Sequence, residues 1–134
     1  MIVAVTKPFG RGNCLSQAMT NINTGKFGED LALHYLEDLG HIVVTTNFRY
    51  KKLGEIDIIT EKTNLLHFVE VKTRKNNDYG FPVEFVSNKK LSKIIKVAEI
   101  FRKQSNLSHL NYQFDIVSIT LDNNKIEYYQ NVTL

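Results

Sequence analysis

Three charged side chains interrupt two apolar stretches of this sequence. Asp57 lies in "EIDIIT", and Glu70 and Lys72 lie in "LLHFVEVKT". Two carboxylates at close range raise each other's pKa unless a cation neutralises them. A lysine offsets one charge, whereas a hard divalent cation such as Mg²⁺ offsets both and takes water and substrate phosphate oxygens as further ligands. With a lysine to orient or deprotonate a water, these residues form a minimal set for metal-dependent phosphodiester hydrolysis.

A β-hairpin would bring the three charges together. Residues two apart in a strand share a face, so Glu70 and Lys72 point one way and the valines on either side of Glu70 point into a core. Thr63 and Asn64 lie between the two stretches, and a hairpin that turns there puts Asp57 opposite or nearly opposite Glu70. The isoleucines on either side of Asp57 would then face away from its carboxylate.

The same charges have structural explanations. A Glu–Lys pair that faces water on an edge strand contributes at most about 1 kcal/mol. The chain has 14 acidic residues, so about one acid-x-lysine triplet is expected by chance. An internal ion network is a third explanation, although such a network adds little net stability. Against them stands the position of all three charges within apolar stretches, and the pattern alone leaves the metal site and the solvated face open.

Length and composition limit the classes of protein to consider. The 134 residues suffice for one domain with a hydrophobic core. The formal charge of +3 permits a nucleic-acid partner without requiring one. The single cysteine, Cys14, excludes an internal disulfide and a multi-cysteine zinc site. We find neither a signal-peptide pattern nor the ~20 apolar residues of a membrane helix, so we expect a cytoplasmic protein with no membrane partner.

Hydrophobic periodicity predicts the element order αβββαββ. The stretches "NTGKFGEDLALHYLEDLG" and "NKKLSKIIKVAEIFRKQ" have the apolar spacing of amphipathic helices. The stretches "HIVVTTNFRY", "YQFDIVSITL" and "KIEYYQNVTL" are typical of strands, as are the two that carry the charges. This order predicts an α/β fold with helices flanking a mixed central sheet. Residues 1–23 lack a sustained period and are predicted to form a loosely ordered N-terminal arm, and residues 24–134 a single domain.

Several short pieces of the sequence together resemble a known family. They are "GKFGE", "NFR", "GEIDII", "FVEVKTR", the lysine-led second helix and "FDIV", in this order. They closely resemble the YraN family, small uncharacterised bacterial proteins assigned to the restriction-endonuclease-like, PD-(D/E)xK superfamily. The resemblance runs from about Thr24 to the C-terminus, and it implies a restriction-endonuclease-like αβββαβ core. Family proteins usually begin near Met19, so we expect residues 1–18 to be dispensable.

The resemblance also implies roles for individual residues. It makes Asp57 and Glu70 ligands of Mg²⁺ or Mn²⁺, with the Val71 carbonyl as a further ligand. Lys72 would be the catalytic base or an electrostatic stabiliser, and Glu29 of the first helix would add a catalytic carboxylate. Without the resemblance, the pattern favours a simpler explanation for Glu29, a first-turn acid that complements the helix dipole. An isoleucine stands where the superfamily pattern nominally has proline before the aspartate.

Three cations are candidate nucleic-acid contacts: Lys90, Arg49 and Arg74. Lys90 shares the apolar face of the second helix, in its first turn, where it opposes the macrodipole unless a phosphate compensates it. Snorkelling of its apolar stem explains it as well. Arg49 matches the family's "NxR" piece and suits a phosphate, although a pair with Glu55 would also account for it.

Two further sets of residues are less informative. Asp115 of "FDIV" is predicted on a buried strand, as a structural hydrogen-bond acceptor or as a partner of the site. The four histidines show no ligand spacing, and His67 is predicted to point away from Glu70, so none is assigned a metal.

The leading hypothesis is a Mg²⁺- or Mn²⁺-dependent nuclease that acts on branched or damaged DNA. Within the superfamily, the arrangement of these residues looks most like that of archaeal Holliday-junction resolvases, which makes a homodimer an expectation by analogy and DNA a better expected partner than RNA. The alternative hypothesis is a non-catalytic nucleic-acid-binding module that acts with a partner protein.

Overall fold

The computed structural model describes residues 4–8, 24–76 and 88–132. They form helices α1 (Thr24–Asp38) and α2 (Asn88–Gln104) and six strands. The strands are β1 (Ala4–Pro8), β2 (Ile42–Tyr50), β3 (Gly54–Lys62), β4 (Leu65–Arg74), β5 (Asn111–Thr120) and β6 (Lys125–Tyr129). The predicted order αβββαββ is therefore confirmed within residues 24–132, and β1 precedes it.

The strands form one mixed sheet in the order β1-β6-β5-β4-β3-β2. β4 and β5 run parallel, and the other neighbours run antiparallel. The parallel pair requires a crossover connection, and α2 lies in it. Both the α/β class and the mixed sheet flanked by helices are confirmed.

Strand β1 lies within the segment predicted as a loosely ordered arm. Its backbone pairs antiparallel with β6, from Ala4 with Tyr129 to Pro8 with Lys125. Residues 9–23 lie outside the described residues, as do residues 77–87. The expectation that residues 1–18 are dispensable stays a prediction, and its test now includes the loss of an edge strand.

The hairpin of β3 and β4 has the predicted register. Its turn, residues 63–64, has positive φ values of 53° and 60°, and two such residues match the twist of the flanking strands. This turn fixes the pairing, which runs outward to Ile58 opposite Val69. The ladder ends at this pair, and the same register continued by one step would place Asp57 opposite Glu70.

Each face of the sheet carries one hydrophobic core. Under α1 the buried residues include Ala32, Tyr35, Leu36, Ile58, Val69, Val117 and Tyr128. Under α2 they include Ile56, Ile59, Leu66, Phe68, Ile94, Val97 and Phe101. The alternation along β4 puts Phe68 under α2 and Val69 under α1, as the pleat requires.

The same alternation is interrupted in β3 at Asp57. Ile56 packs in the α2 core, whereas Ile58 packs in the α1 core. The prediction that both isoleucines lie on the face opposite to Asp57 is therefore wrong. Pairing with β2 also skips this position, and Asn47 lies opposite it with a φ of 51°. The positive φ of Asn47 and the missing backbone pair interrupt the regular pleat at Asp57.

Candidate active site

Glu70 is held between two lysines on the α2 side of the sheet. Lys72, two residues along β4, puts its Nζ 3.0 Å from Glu70 Oε1. Lys90, in the first turn of α2, donates to the same oxygen at 2.5 Å. Burial raises the pKa of Glu70, but the hydrogen bonds from Lys90 and Lys72 outweigh it and hold that pKa below its usual value. Glu70 is therefore ionised at neutral pH although its side chain is only 17% exposed.

Asp57 lies in the opposite electrostatic situation. Its Oδ2 accepts a hydrogen bond from the Val71 amide at 2.8 Å, so the carboxylate caps the end of the β3–β4 ladder. Burial raises its pKa to about 6; the Val71 hydrogen bond opposes this rise, and the charges of Glu70, Glu29 and Glu55 add to it. Asp57 is thus a carboxyl group close to other carboxylates, where a cation would relieve the repulsion.

A close helix–strand contact brings Glu29 to this cluster. A Cβ on Gly28 would lie 1.8 Å from Thr73 Oγ1, so any larger residue requires α1 or the Thr73 side chain to move where α1 meets β4. The next residue is Glu29, whose Oε2 accepts a hydrogen bond from the Asn47 side chain at 3.1 Å. Together with Asp57 they line a surface pocket of about 270 Å³. The structure therefore brings the predicted helix carboxylate to Asp57.

Asn47 and Glu55 belong to the site, although the sequence analysis named neither as a site residue. Asn47 Nδ2 donates both to Glu29 and, at 3.2 Å, to Glu55 Oε1. Its position opposite Asp57 places it at the centre of the acidic side chains. The asparagine of the "NxR" piece is the sequence signal for it.

The candidate nucleic-acid contacts lie in different surroundings. Arg49 donates from Nε and from its terminal nitrogen to Glu55 Oε2, at 3.0 and 2.7 Å, which is the ion pair considered from the sequence. Arg74 lies two residues beyond Lys72 on β4, and its charge acts on Glu127. Lys90 contacts Glu70 directly, so of the three it is the one bonded to a predicted ligand.

Asp115 and His67 form a separate buried network on the α1 side. His67 Nδ1 donates to Asp115 Oδ2 at 2.6 Å, and the Tyr128 hydroxyl donates to the same oxygen at 2.5 Å. Gln113 and the Asn131 amide donate to Asp115 Oδ1. The interpretation of Asp115 as a structural acceptor is supported, and His67 points away from Glu70 as predicted.

The donor set fits a cation that needs few protein ligands. Within 24–76 and 88–132, no three His, Cys, Asp or Glu side chains form a group that could hold a metal. Mg²⁺ characteristically binds through one or two carboxylates and keeps several waters. Asp57 and Glu70 offer two hard oxygen donors from adjacent strands, which suits Mg²⁺ or Mn²⁺ and does not suit a site with three or four protein ligands. In the described part of the chain, no helix is both long and apolar enough to cross a membrane.

Comparison with known proteins gives one consistent family. The model of the uncharacterised protein family UPF0102 matches residues 28–119. A UPF0102 protein of Dictyoglomus turgidum is 48% identical over 103 residues, which cover 77% of this chain and 86% of that protein. A UPF0102 protein of Chloroherpeton thalassium is 42% identical over 79% of this chain and 81% of its own length. One of Clostridioides difficile is 40% identical over 84% of this chain and 98% of its own length. The matched region contains every candidate site residue named above.

Proposed function

We propose that this chain, which belongs to the uncharacterised protein family UPF0102, is a metal-dependent nuclease that hydrolyses phosphodiester bonds in DNA. One observation carries the proposal: Asp57 accepts the amide of Val71, the residue after Glu70, where the β3–β4 ladder ends, and Lys72 is bonded to Glu70. The element order within residues 24–132 supports the assignment to the restriction-endonuclease-like superfamily, which is part of the proposal. The YraN family named from the sequence is this family.

Asp57, Glu70 and the Val71 carbonyl would hold Mg²⁺ or Mn²⁺. Asp57 already accepts the Val71 amide with one oxygen, which fixes the carboxyl group beside the next peptide unit. A cation bound there would lower the pKa of a water and oppose the negative charge that develops on the phosphate. The repulsion among Asp57, Glu70 and Glu29 favours its binding.

Lys72 and Glu29 would act on the water and the phosphate. Lys72 lies beside Glu70 on the same strand face, so its ammonium group can orient the attacking water or stabilise the charged transition state. Glu29, fixed by Asn47 and facing Asp57, can accept a hydrogen bond from that water.

Lys90, Arg49 and Arg74 are the proposed contacts to the DNA backbone. Such contacts position the duplex and carry no sequence information. Branched or damaged DNA is the proposed substrate, by analogy with the junction resolvases that the sequence resembles. The same analogy suggests a homodimer, since a two-fold substrate suits a two-fold protein.

Cleavage of a substrate panel tests this function. Single-stranded, flapped and four-way DNAs, with matching RNAs, would be incubated with the protein in Mg²⁺, Mn²⁺ or EDTA. We expect metal-dependent cleavage of at least one DNA, reduced at least about 100-fold in Asp57→Asn and in Lys72→Met. Glu61→Gln, a half-buried acid on the same strand, is the matched control and should cleave like the wild type. Cleavage unchanged in both site variants rejects the mechanism.

The second candidate function is a nucleic-acid-binding module that does not cut. It is favoured by the pairing of Glu70 with two lysines, which neutralises this carboxylate without a metal. In that case DNA binding would survive EDTA, no member of the panel would be cleaved, and Asp57→Asn would bind DNA as well as the wild type.

A further inference from the structure

The site distributes its positive charge unevenly. Both Lys72 and Lys90 lie within hydrogen-bond distance of one oxygen, Glu70 Oε1. Among the ion pairs of the described residues, none includes Asp57. The carboxylate that faces Glu70 across the hairpin therefore has a main-chain amide as its hydrogen-bond partner, while two ammonium groups share a single acceptor.

We propose that Lys90 is an exchangeable cation, whose ammonium group occupies Glu70 until a divalent cation binds there and then moves to a phosphate of the nucleic acid. This inference rests on the proposed function. It adds a consequence which that function lacks: metal and DNA strengthen each other's binding through one side chain. In the absence of both, Lys90 keeps Glu70 in an ion pair.

The positions of the two lysines indicate which one exchanges. Lys72 extends from the interior of the sheet, two residues from Glu70 on the same strand, and its side chain is 31% exposed. Lys90 extends from the first turn of α2, and its side chain is 42% exposed. The main chain of Lys72 is paired with Ser118 of β5, so Lys72 remains on the strand that carries Glu70 whatever binds. Lys90 can rotate toward solvent without any change in the sheet.

The helix dipole favours the same exchange. A cation in the first turn of a helix is opposed by the partial positive charge of the free amide groups. Glu70 compensates for this as long as it pairs with Lys90. Once Glu70 binds a metal, a phosphate is the natural replacement, because it pairs with Lys90 and with the helix N-terminus together.

This arrangement makes Lys90 compete with a divalent cation for Glu70 and couples metal binding to DNA binding. A divalent cation and the Lys90 ammonium group use the same Glu70 oxygen, so Lys90 weakens metal binding when DNA is absent. DNA that engages Lys90 removes the competitor and raises the affinity for metal. By linkage, metal raises the affinity for DNA by the same factor.

Titration with Mn²⁺, followed by calorimetry, measures both effects without relying on cleavage. The full chain would be titrated alone and with a four-way DNA whose phosphorothioate linkages are verified to remain intact. For the wild type we expect DNA to tighten Mn²⁺ binding about fivefold or more. For Lys90→Met we expect Mn²⁺ alone to bind about fivefold more tightly than to the wild type, with less than about a twofold further effect of DNA. Lys93→Met, an exposed lysine on the same helix, should behave like the wild type.

Two further variants distinguish a failure of the proposed metal site from a failure of the exchange by Lys90. Glu70→Gln should abolish Mn²⁺ binding; if it does not, the proposed metal site itself is rejected. Lys72→Met also removes a cation from Glu70, so it should tighten Mn²⁺ binding yet retain the effect of DNA. If Glu70→Gln abolishes binding while Lys90→Met leaves both the Mn²⁺ affinity and the effect of DNA unchanged, the proposed function stands and the exchange by Lys90 is overturned. Circular dichroism of each variant checks that it is folded.

Discussion

The carboxylate of Asp57 accepts the main-chain amide of Val71 at 2.8 Å, at the point where the β3–β4 ladder ends. A side chain thus makes the bond that a strand carbonyl would otherwise make. This contact fixes Asp57 among Glu29, Glu55 and Glu70, whose charges add to the effect of burial and raise its pKa to about 6. Ionised Asp57 is therefore costly to the folded state.

The first prediction concerns how the effect of Asp57 on the free energy of unfolding depends on pH. The folded pKa of about 6 exceeds the unfolded value of about 3.9. The folded state then binds the proton more tightly, so the contribution of Asp57 to stability is greatest below pH 4 and is lost as pH rises through 6. Asp57→Asn removes the charge, and we expect it to be more stable than the wild type at pH 7.5 by about 2–3 kcal/mol. Urea unfolding at several pH values measures the difference.

The difference between variant and wild type is the relevant quantity, because other groups titrate in the same range. Burial lowers the pKa of His41 to about 4, helped by the charges of His67 and Lys62. His41 therefore reduces stability as pH falls below about 6.5, opposite in sign to Asp57. The advantage of Asp57→Asn should shrink steadily between pH 7 and pH 4. An advantage that is absent or independent of pH would contradict the raised pKa.

The second prediction concerns the contact that positions Glu29. Gly28→Ala puts a methyl group 1.8 Å from Thr73 Oγ1, so α1 must shift or Thr73 must rotate. We expect a loss of about 1–3 kcal/mol in unfolding free energy. Gly25→Ala is the matched control, since nothing lies within 4 Å of its added Cβ; in the same helix it should be neutral or stabilising. Urea unfolding of both variants measures the contrast.

A double variant identifies the cause of the loss. Thr73→Ala removes the oxygen that the new methyl group meets, so Gly28→Ala should cost less in that background, with a coupling energy of about 0.5–2 kcal/mol. Independent, additive effects of the two substitutions would indicate that Gly28 is not required by the contact with Thr73.

The features that sequence could predict are those decided by local geometry. The two-residue turn at 63–64 fixes the register of its own hairpin, so the pairing of β3 with β4 could be predicted by counting outward from the turn. The orientation of Ile56 and Ile58 did not, because it depends on the interrupted pairing with Asn47 on another strand. That interruption has no local signal in β3.

The other features that the sequence does not predict depend on contacts between elements far apart in the chain. The position of Glu29 depends on how closely α1 packs on β4, and the role of Asn47 depends on three elements that meet around it. Strand β1 has a weak period of its own and is defined by its pairing with β6. The sequence predicts Asp115 on a buried strand, as a structural acceptor or as a partner of the site, and a buried charge requires partners. Its partners come from neighbouring strands and could not be read from spacing.

The third prediction separates the backbone of Asn47 from its side chain. Asn47 has a φ of 51°, which glycine adopts without strain and alanine does not. It also donates to Glu29 and Glu55. Asn47→Ala loses both properties and should cost about 1–2 kcal/mol of unfolding free energy. Asn47→Gly relieves the strain, so it should be more stable than Asn47→Ala.

The affinity for Mn²⁺ tests the role of the Asn47 side chain separately. Both variants release Glu29 equally, so both should weaken Mn²⁺ binding by a similar factor, about threefold to tenfold. Equal stability of the two variants would contradict the backbone requirement. Unchanged Mn²⁺ affinity in both would contradict a positioning role for Asn47.

The fourth prediction concerns the buried network around Asp115, which lies on the face of the sheet away from Glu70. Its carboxylate accepts hydrogen bonds from His67, Gln113, Tyr128 and the Asn131 amide. Burial raises the pKa of Asp115, but bonds from His67, Tyr128 and Asn131 hold it below the usual value. Asp115→Asn replaces one acceptor oxygen by a donor, so we expect a loss of about 3–5 kcal/mol. Asp122→Asn, an exposed acid in a turn, is the control and should change stability little.

The same variant distinguishes a structural role from a role in the site. If Asp115 serves only the core, Asp115→Asn should bind Mn²⁺ with wild-type affinity at a temperature well below its midpoint of unfolding. The wild type should also lose stability relative to Asp115→Asn as pH falls through the low folded pKa, because a depressed pKa stabilises only while the group is ionised. A stable Asp115→Asn with weakened Mn²⁺ binding would reverse the interpretation and make Asp115 a partner of the site.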